Sequence, residues 1–293
     1  MSKKPTVAVI GTGFTGICAA IKVKQELGVD AQLFEMSKDV GGTWEANTYP
    51  GLECDIPSHV YSFSFEPNPS WTKHYSPQAE IQKYLKNITK KYDLYDKISF
   101  ETEMMRAEWN EQENHWLLEW RNTNNHQETG SGHFDFVFAG LGPFRVPKYP
   151  QGIPIENFDG PVVHTARWNH NIDYTNKRIA IIGSGATAVQ VIPALRKMAS
   201  HLYSYQRTPA WVTPRNQFAY SRITKFLFRN IPFVMWIYRL YIFFKVDLTY
   251  IKIGYYNTLF GRFIRRLAAK SMASRLKRVG RPDLIPALTP GKY

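Results

Sequence analysis

Two glycine-rich turns in the sequence have the residue types and spacing that bind a dinucleotide. Glycine at the key positions allows a tight turn and lets the backbone approach a pyrophosphate at the N-terminus of the following helix. Each turn follows an apolar run and precedes a helical pattern, and this context makes the motif specific. Two nucleotide-binding sites are therefore predicted. The turns are Gly11-Thr12-Gly13-Phe14-Thr15-Gly16 and Gly183-Ser184-Gly185-Ala186-Thr187-Ala188, in which alanine takes the third glycine position.

The residue at the end of the next predicted strand distinguishes the two turns. Glu35 lies 24 residues after Gly11, where a carboxylate accepts hydrogen bonds from an adenosine ribose. The same step from Gly183 reaches Arg207, and an arginine there favours the 2′-phosphate of NADP over the bare ribose of NAD. The alternative is a surface arginine at a strand end. Two adenine dinucleotides are typical of a flavoprotein that NADPH reduces, with FAD at the first turn and NADPH at the second.

Two β-α-β units are predicted to position these turns, because each turn joins a short apolar strand to an amphipathic helix. The fold class is therefore α/β, with two dinucleotide-binding Rossmann-like domains. The predicted elements are a strand at 7–10, a helix to about Leu27, a strand at 31–35, a strand at 179–182, a helix to about Ser200 and a strand at 201–206.

Each predicted domain carries an insertion. Three strands at 100–109, 115–121 and 133–138, with turns at 122–125 and 130–132, predict a β-meander in the first domain. Beyond Pro214 the aromatic and basic chain predicts a helical insertion in the second domain, to about Val279. A further helix is predicted at 78–92. The predicted boundaries are 1–145 for the FAD domain, 146–178 for a proline-containing linker and 179–293 for the NADP domain.

Positive charge is concentrated in the second half of the chain. The net charge is +13, and from residue 179 onward there are 19 Lys and Arg against 2 Asp and Glu. Such asymmetry is typical of proteins that bind nucleic acid, an anionic membrane or an acidic partner. No nucleic-acid-binding motif accompanies the charge, so nucleic acid is not an expected partner. The basic face is interpreted as solvated, or as a surface that meets a further part of the protein.

The apolar segment 226–244 is interrupted by Arg229, Pro232 and Arg239. A transmembrane helix needs about 20 apolar residues without such interruptions, so an inserted helix is favoured over a membrane-spanning or membrane-surface helix. The two cysteines, Cys18 and Cys54, do not form a CxxC pair, so neither a disulfide framework nor a metal site is predicted. The N-terminus does not have a signal-peptide pattern, and a cytoplasmic location is expected.

Three further groups of residues combine glycine, aromatic and polar side chains. They are Gly41-Gly42-Thr43-Trp44 followed by Asp55 and Tyr61, then Phe158, Gly160, His164 and Trp168 at spacings of two, four and four, and finally the second glycine turn with Arg207-Thr208. Together these groups resemble the Baeyer-Villiger branch (class B) of the flavin-dependent monooxygenases. The family signature places Pro or Asp after the tryptophan, whereas this sequence has Asn169. Trp168 itself favours the Baeyer-Villiger branch over the related enzymes that oxidise nitrogen and sulfur.

The resemblance implies a role for each matching residue. Asp55 is implied to be a buried catalytic carboxylate that the family pairs with an arginine, and the alternative is an aspartate that caps the local turn. For His164, the alternative to a role in coupling cofactor binding to domain movement is a structural histidine. The other implied roles are FAD ribose binding by Glu35, contacts along the flavin by Thr43 and Trp44, a position near its ring for Asp55 and Tyr61, a backbone contact with FAD by Met104, NADP binding by Ser184 to Val189 and by Arg207 and Thr208, and membership of the linker for Phe158, Gly160, His164 and Trp168.

The implied activity is an FAD- and NADPH-dependent monooxygenation that inserts one oxygen atom from O2 into a ketone, giving an ester or lactone. Two alternatives stay open: oxygenation of an amine or sulfide, and a nucleotide-binding fragment with no activity or uncoupled activity. Family members continue into a strand with Gly-x-Lys-Arg, which supplies the active-site arginine. This sequence ends at Tyr293, before that strand. The expectation is a C-terminally incomplete chain with little activity of its own and a possible complementing C-terminal half.

Overall fold

A computed structural model describes residues 4–144, 146–150, 152–212, 214–254 and 258–290. The chain forms two compact units, which are Met1–Tyr49 with Gln78–His170, and Pro50–Pro77 with Asn171–Tyr293. The predicted domains follow chain order, whereas the second unit also contains the early segment Pro50–Pro77. Residue 145, the predicted end of the first domain, lies outside the described residues. The assignment of FAD and NADP to domains stays a prediction.

The first unit contains a parallel sheet in the order β3-β2-β1-β7 and an antiparallel sheet in the order β4-β5-β6. Helices α1 and α3 are each 14 residues long, and α2 is a single turn. Its elements are β1 Val7–Ile10, α1 Phe14–Leu27, β2 Gln32–Phe34, α2 Thr43–Ala46, α3 Gln78–Lys91, β3 Ile98–Ser99, β4 Thr102–Asn110, β5 His115–Asn122, β6 Thr129–Phe134 and β7 Phe136–Ala139.

Strand β1 lies inside the parallel sheet, and all four of its residues are buried. It pairs with β2 on one side and with β7 on the other, so its continuous apolar run covers both faces, as is typical of a central parallel strand. Helix α1 ends where Gly28 adopts a left-handed conformation with φ 64°, and the Gly28 N–H donates to Lys24 O. The predicted first β-α-β unit is therefore present.

The antiparallel sheet packs against the parallel one through a small apolar core. Leu118 of β5 and Phe134 of β6 are buried with Ala8 and Phe34 of the parallel sheet. The Phe34 ring lies against the Trp120 indole, with centroids 4.7 Å apart. The predicted β-meander is thus present and shares a core with the strand that precedes Glu35.

The prediction of one strand at 133–138 is wrong, because the segment divides between two sheets. Strand β6 ends at Phe134 and β7 begins at Phe136. Between them, the Asp135 carboxylate accepts hydrogen bonds from Thr6 N at 2.7 Å and from Thr6 Oγ1 at 2.8 Å. The Asp135 N–H in turn donates to Thr6 O. These bonds fix the chain where it leaves one sheet for the other.

The prediction of a turn at 130–132 is also wrong, since these residues lie within β6. A Cβ atom at Gly130 would lie 2.5 Å from Trp120 Nε1, so glycine leaves the space that the indole occupies on the neighbouring strand. Glycine at this position lets the neighbouring strand pack closely. Because glycine is usually associated with turns, the sequence pattern alone predicted a turn here.

The second unit contains the parallel pair β8-β9 and a series of helices. Helix α4 connects the two strands, which confirms the second predicted β-α-β unit. Among the described residues, no helix is long and apolar enough to cross a membrane. The elements of this unit are β8 Arg178–Ile182, α4 Ala186–Arg196, β9 His201–Tyr205, α5 Arg222–Asn230, α6 Pro232–Gly254, α7 Leu259–Arg278 and α8 Ile285–Leu288.

An aromatic cluster joins segment Pro50–Pro77 to α5 and α6 within the second unit. The His59 ring packs edge-on against Tyr220, Phe228 and Tyr238, with centroid distances of 5.1, 4.8 and 5.4 Å. The Arg239 guanidinium also donates to Ser62 Oγ at 2.9 Å. These contacts explain why segment Pro50–Pro77 belongs to the same unit as the helices.

Candidate functional site

The first glycine turn is closed so tightly that two of its positions exclude any side chain. Gly11 has φ 92°, and a Cβ atom there would lie 2.6 Å from Gly140 O. A Cβ atom at Gly16 would lie 1.8 Å from Gly11 O. The Gly11 N–H donates to Phe34 O at 2.8 Å, which ties the turn to β2. Gly140 was missed by the sequence analysis, although a glycine directly after an apolar strand was the available signal.

Helix α1 begins without a side-chain cap. Its N-cap residue Gly13 makes no side-chain hydrogen bond to the helix, whereas Ser221 and Thr258 cap α5 and α7 through their hydroxyl groups. The first N–H groups of a helix have no intrahelical partners and lie at the positive end of its dipole. Their arrangement at Gly13 suits an anion such as a pyrophosphate. Beside them, Thr15 is exposed and the Phe14 ring stacks on Tyr84, with centroids 6.2 Å apart.

Glu35 lies at the end of β2 and holds the glycine turn. The side chain is only 4% exposed. Its Oε2 accepts hydrogen bonds from Thr12 N at 2.8 Å and Thr12 Oγ1 at 2.7 Å, and its Oε1 accepts one from Ser37 N at 2.8 Å. A carboxylate can accept about four hydrogen bonds, so Oε1 keeps capacity for a ribose hydroxyl.

A second glycine pair faces the first turn. Gly41 and Gly42 have φ 135° and 54°, and Gly42 lies close enough to Gly13 that a Cβ at Gly42 would be 3.0 Å from Gly13 Cα. The Gly41 N–H donates to Thr12 O at 3.0 Å. Helix α2 follows directly, with Thr43 half-buried and Trp44 buried at 6% exposure. The first unit therefore brings the glycine turn, Glu35, Thr43 and Trp44 together around a cradle of bare backbone.

The second glycine turn has the same local construction. Gly183 has φ 124°, and its N–H donates to Tyr205 O at 2.9 Å. The N-cap residue Gly185 makes no side-chain cap, so the first N–H groups of α4 are also directed at the turn. In the described chain, no atom beyond the immediate neighbours lies within 4 Å of a Cβ placed at either glycine. Ser184 Oγ donates to Thr208 O at 2.9 Å, which joins the turn to the end of β9.

The residues that open α4 divide into an exposed and a buried set. Ala186 is exposed and Thr187 is half-buried beside the turn, whereas Ala188 is 8% exposed and packs inward. The second unit therefore accommodates an alanine methyl group in the third glycine position as a buried side chain.

The strand register corrects the position that corresponds to Glu35 in the second unit. Ile10 pairs with Phe34 in the first sheet, and Ile182 pairs with Tyr205 in the second. The residue after Tyr205 is Gln206, so Gln206 and not Arg207 is the structural counterpart of Glu35. The 24-residue step is one residue too long here, because the second unit needs only 23 residues between the same two positions. Arg207 follows as an exposed side chain.

Asp55 lies on segment Pro50–Pro77, in the second unit. The carboxylate is exposed, so the expectation that it is buried is wrong for the described structure. Arg215 orders the backbone beside it by donating to Cys54 O and pairing with Glu53 Oε2 at 3.0 Å. Tyr61 is half-buried on the same segment. Arg215 was missed by the sequence analysis, since a single arginine far along the chain carries no signal for this contact.

The motif residues from Phe158 to Trp168 lie in the first unit. His164 Nδ1 accepts a hydrogen bond from Ala166 N at 3.1 Å and so caps a short 3-10 turn. A Cβ atom at Gly160 would lie 2.5 Å from the Phe158 ring, which explains the glycine. Trp168 is half-buried. The cap gives His164 a structural role, and its role in domain movement stays a prediction.

Met104 lies on β4, in the antiparallel sheet of the first unit. In the sequence it is far from both glycine turns. Its side chain packs against the core around Phe34 and Leu118. The β4-β5 register shifts between Met104 and Arg106, so the backbone is irregular at this point. An irregular strand leaves backbone groups outside the ladder, which is compatible with the implied backbone contact.

A family model described as flavin-binding monooxygenase-like matches residues 3–238. This match covers both glycine turns, Glu35, Asp55 and the motif from Phe158 to Trp168. The chain belongs to the flavin-binding monooxygenase-like family.

The relatives of this flavin-binding monooxygenase-like chain include Baeyer-Villiger monooxygenases. One from Pseudomonas aeruginosa is 40% identical over 247 residues, covering 82% of this chain and 46% of the relative. Another from Streptomyces coelicolor is 39% identical and covers 77% of this chain and 42% of the relative. The chain spans about half the length of the curated relatives it matches.

Solved structures share the α/β fold. A cyclohexanone monooxygenase variant from Rhodococcus sp. Phi1 bound to NADP+ has a TM-score of 0.71 and 30% identity, covering 79% of this chain and 44% of that one. OTEMO in complex with FAD and NADP has a TM-score of 0.80 and 25% identity, covering 99% of this chain and 61% of that one. Among the described residues, no group of three His, Cys, Asp or Glu could hold a metal ion.

Proposed function

We propose that the protein is an FAD- and NADPH-dependent monooxygenase that inserts one oxygen atom from O2 into a ketone, giving an ester or lactone. The observation that carries the proposal is the pair of β-α-β turns with uncapped helix N-termini, one followed by Glu35 and the other by Gln206-Arg207. The names of the relatives support the reaction class, and the substrate is a small organic ketone.

The first unit suits FAD. A Cβ atom at Gly13 or at Gly42 would enter the space between these two glycines, 3.6 Å from Gly42 Cα or 3.0 Å from Gly13 Cα, and this space lies at the uncapped start of α1. In the proposal these N–H groups bind the pyrophosphate, and Glu35 Oε1 accepts a ribose hydroxyl. Thr43 and Trp44 lie along the flavin. When bound, FAD supplies the redox chemistry, using a hydride from NADPH and O2.

The second unit suits NADPH. Open space over Gly183 and Gly185 admits a pyrophosphate, and the exposed Arg207 offers a bidentate cation for the 2′-phosphate. The neutral Gln206 avoids the repulsion that a carboxylate would exert on that phosphate. Thr208 is fixed beside Arg207 by the bond from Ser184.

Asp55 and Tyr61 are proposed to lie near the flavin ring, with Asp55 as the catalytic carboxylate. The segment that carries them has a defined backbone, because Ser58 N donates to His74 O at 2.8 Å and Cys54 N to Ser76 O at 2.9 Å. A fixed backbone lets a carboxylate hold a charged or polar group in one orientation. The motif residues His164 and Trp168 are proposed to couple cofactor binding to movement of the units.

The test is to purify the chain with FAD and to follow NADPH oxidation and product formation under 18O2. A lactone that contains one 18O atom, formed from a cyclic ketone, supports the proposal, whereas FAD binding with NADPH oxidation but no labelled lactone supports the uncoupled activity that the sequence left open. A thioether that is converted to a sulfoxide while the ketone is untouched supports oxygenation at sulfur or nitrogen instead. A colourless protein that binds neither FAD nor NADPH contradicts the proposal.

A further inference from the structure

Helix α3 presents two glutamines, one turn apart, to the segment that contains the second glycine pair. Gln82 Nε2 donates to Val40 O at 2.6 Å and to Glu45 Oε2 at 2.7 Å. Gln78 Nε2 donates to Trp44 O. Residues four apart share one face of a helix, so both side chains reach the same segment. The glutamines therefore hold the segment on both sides of its glycines.

The segment needs such a restraint because glycine leaves its backbone free. Gly41 and Gly42 both have positive φ. An unrestrained glycine samples this backbone conformation and many others. The Gly41 N–H bond to Thr12 O fixes one point. The glutamine bonds fix the flanking residues to α3, whose apolar face is buried in the first unit.

Burying the Gln82 side chain has a cost in free energy, because one of its polar atoms is left without a partner. The residue is 8% exposed, and within the described part of the chain its Oε1 has no hydrogen-bond partner. That oxygen lies against Gly41, where a Cβ atom would be 2.0 Å away. An apolar residue at this position would not bury an unpaired acceptor. The advantage of glutamine is therefore the two hydrogen bonds that its Nε2 donates. The contact also explains why residue 41 is glycine.

We propose that Gln82, assisted by Gln78, is a positioning residue that holds Gly41-Gly42-Thr43-Trp44 in the conformation that binds FAD. This inference rests on the proposed FAD site in the first unit. Restraining the turn before binding lowers the conformational entropy that the ligand would otherwise have to remove. Gln82 acts through the turn and does not itself touch the reacting atoms.

The experiment compares Gln82→Met with the unchanged chain and with Lys83→Met, an exposed neighbour on the same helix. Methionine keeps the length of glutamine and removes both donors. We expect FAD to bind about tenfold more weakly to Gln82→Met, because each lost bond contributes modestly. We also expect amide hydrogens of residues 41–46 to exchange faster in FAD-free Gln82→Met. Lys83→Met should match the unchanged chain in both measurements.

A second variant, Gln82→Glu, gives a readout that general destabilisation would not produce. At neutral pH the introduced carboxylate cannot donate to Val40 O and would repel Glu45. Burial raises the pKa of Glu45, and the charge of Asp39 adds to the effect, whereas the charges of Lys86 and Lys38 oppose it. When the introduced carboxyl group is protonated, it regains one donor. FAD affinity of Gln82→Glu relative to the unchanged chain should therefore recover as the pH falls.

The outcomes separate the two proposals. If the unchanged chain binds no FAD, the proposed function fails, and the exchange rates alone decide whether Gln82 restrains the turn. If Gln82→Met does not fold, the pH series on Gln82→Glu decides. FAD affinity within about twofold of the control, together with unchanged exchange at 41–46, overturns the inference.

Discussion

His59 is a histidine that the folded protein keeps neutral. It is 1% exposed among the rings of Tyr220, Phe228 and Tyr238, and in the described chain neither of its nitrogens has a hydrogen-bond partner. Burial lowers the pKa of His59 to about 3, and the charge of Arg239 adds to the effect. The residue contributes aromatic packing to the cluster that fixes segment Pro50–Pro77, while its polar atoms oppose burial.

This environment predicts a stability that depends on pH. Unfolded His59 binds a proton below a pKa of about 6.5, whereas the folded form stays neutral down to about 3. The stability that neutral His59 contributes is present above pH 6.5 and is lost as the pH falls below that value, by up to about 1.4 kcal/mol per pH unit. We expect His59→Phe to flatten this slope, because phenylalanine keeps the ring and removes the titrating group. Urea unfolding between about pH 4.5 and 7.5 measures the slopes.

The control for this prediction is His126→Gln, since His126 is exposed on a loop of the first unit. Its slope should equal that of the unchanged chain. If His59→Phe shows the same slope as His126→Gln, then His59 is protonated in the folded protein and its description as a neutral buried residue is incorrect.

The two glycine turns, although alike in sequence, differ in the space around them. At the first glycine of each turn, a Cβ at Gly11 would lie 2.6 Å from Gly140 O, whereas a Cβ at Gly183 would meet no described atom within 4 Å beyond its neighbours. Within the first turn a Cβ at Gly16 would lie 1.8 Å from Gly11 O, and in the second turn a Cβ at Gly185 would again meet no such atom. We expect Gly16→Ala to destabilise the first unit by about 3 kcal/mol or more, as overpacking against rigid backbone does. We expect Gly185→Ala to keep its unfolding midpoint and to weaken NADPH binding, because the methyl group enters the space of the pyrophosphate.

Thermal unfolding and NADPH titration of the two variants test this contrast. Gly28→Ala serves as the control, because Gly28 has a positive φ but no close neighbour, so its cost comes from the backbone alone. A Gly185→Ala protein that binds NADPH as tightly as the unchanged chain would exclude the pyrophosphate from that turn.

The end of β9 predicts which nicotinamide cofactor is preferred. Gln206 occupies the position of Glu35, and Arg207 follows it. We expect Arg207→Ala to lower NADPH affinity about tenfold to a hundredfold and to leave NADH affinity nearly unchanged, because a charge-assisted bond to phosphate is lost. Gln206→Glu should weaken NADPH binding and strengthen NADH binding, since a carboxylate repels the phosphate and accepts ribose hydroxyls. Equal losses for both cofactors in Arg207→Ala would contradict the assignment.

Secondary-structure elements were predicted well where a short stretch of sequence was sufficient to define them. The apolar run predicted β1, and α1 ends at the predicted residue because Gly28 follows it. The register at Gln206 could not be counted from sequence, because the two units differ by one residue between the turn and the end of the next strand. The exposure of Asp55 and the contacts of Gln82 depend on residues distant in the chain, for which a single sequence carries no signal.

For the whole molecule, a large positive charge coexists with exposed apolar side chains. The net charge is +13, with most of the excess after residue 178. Helix α6 exposes large apolar and aromatic side chains at helical spacing along one face, whereas Ile242 on the same helix is buried. The exposed residues are Phe233 at 64%, Ile237 at 46%, Tyr241 at 58%, Phe244 at 59% and Leu248 at 55%. Apolar faces of this size promote association, and net charge opposes it.

These opposing effects predict how the chain behaves in solution. Salt screens repulsion between positively charged copies and leaves apolar attraction intact, so self-association should increase with NaCl concentration. We expect the double variant Phe233→Ser/Phe244→Ser to associate less at every salt concentration without a change in unfolding midpoint, because both side chains are exposed. By contrast, Phe228→Ser should lose about 3 kcal/mol, since Phe228 is 4% exposed within the aromatic cluster. Sedimentation velocity across a salt series measures association, and a decrease with added salt would show that charge pairing rather than this apolar face holds the copies together.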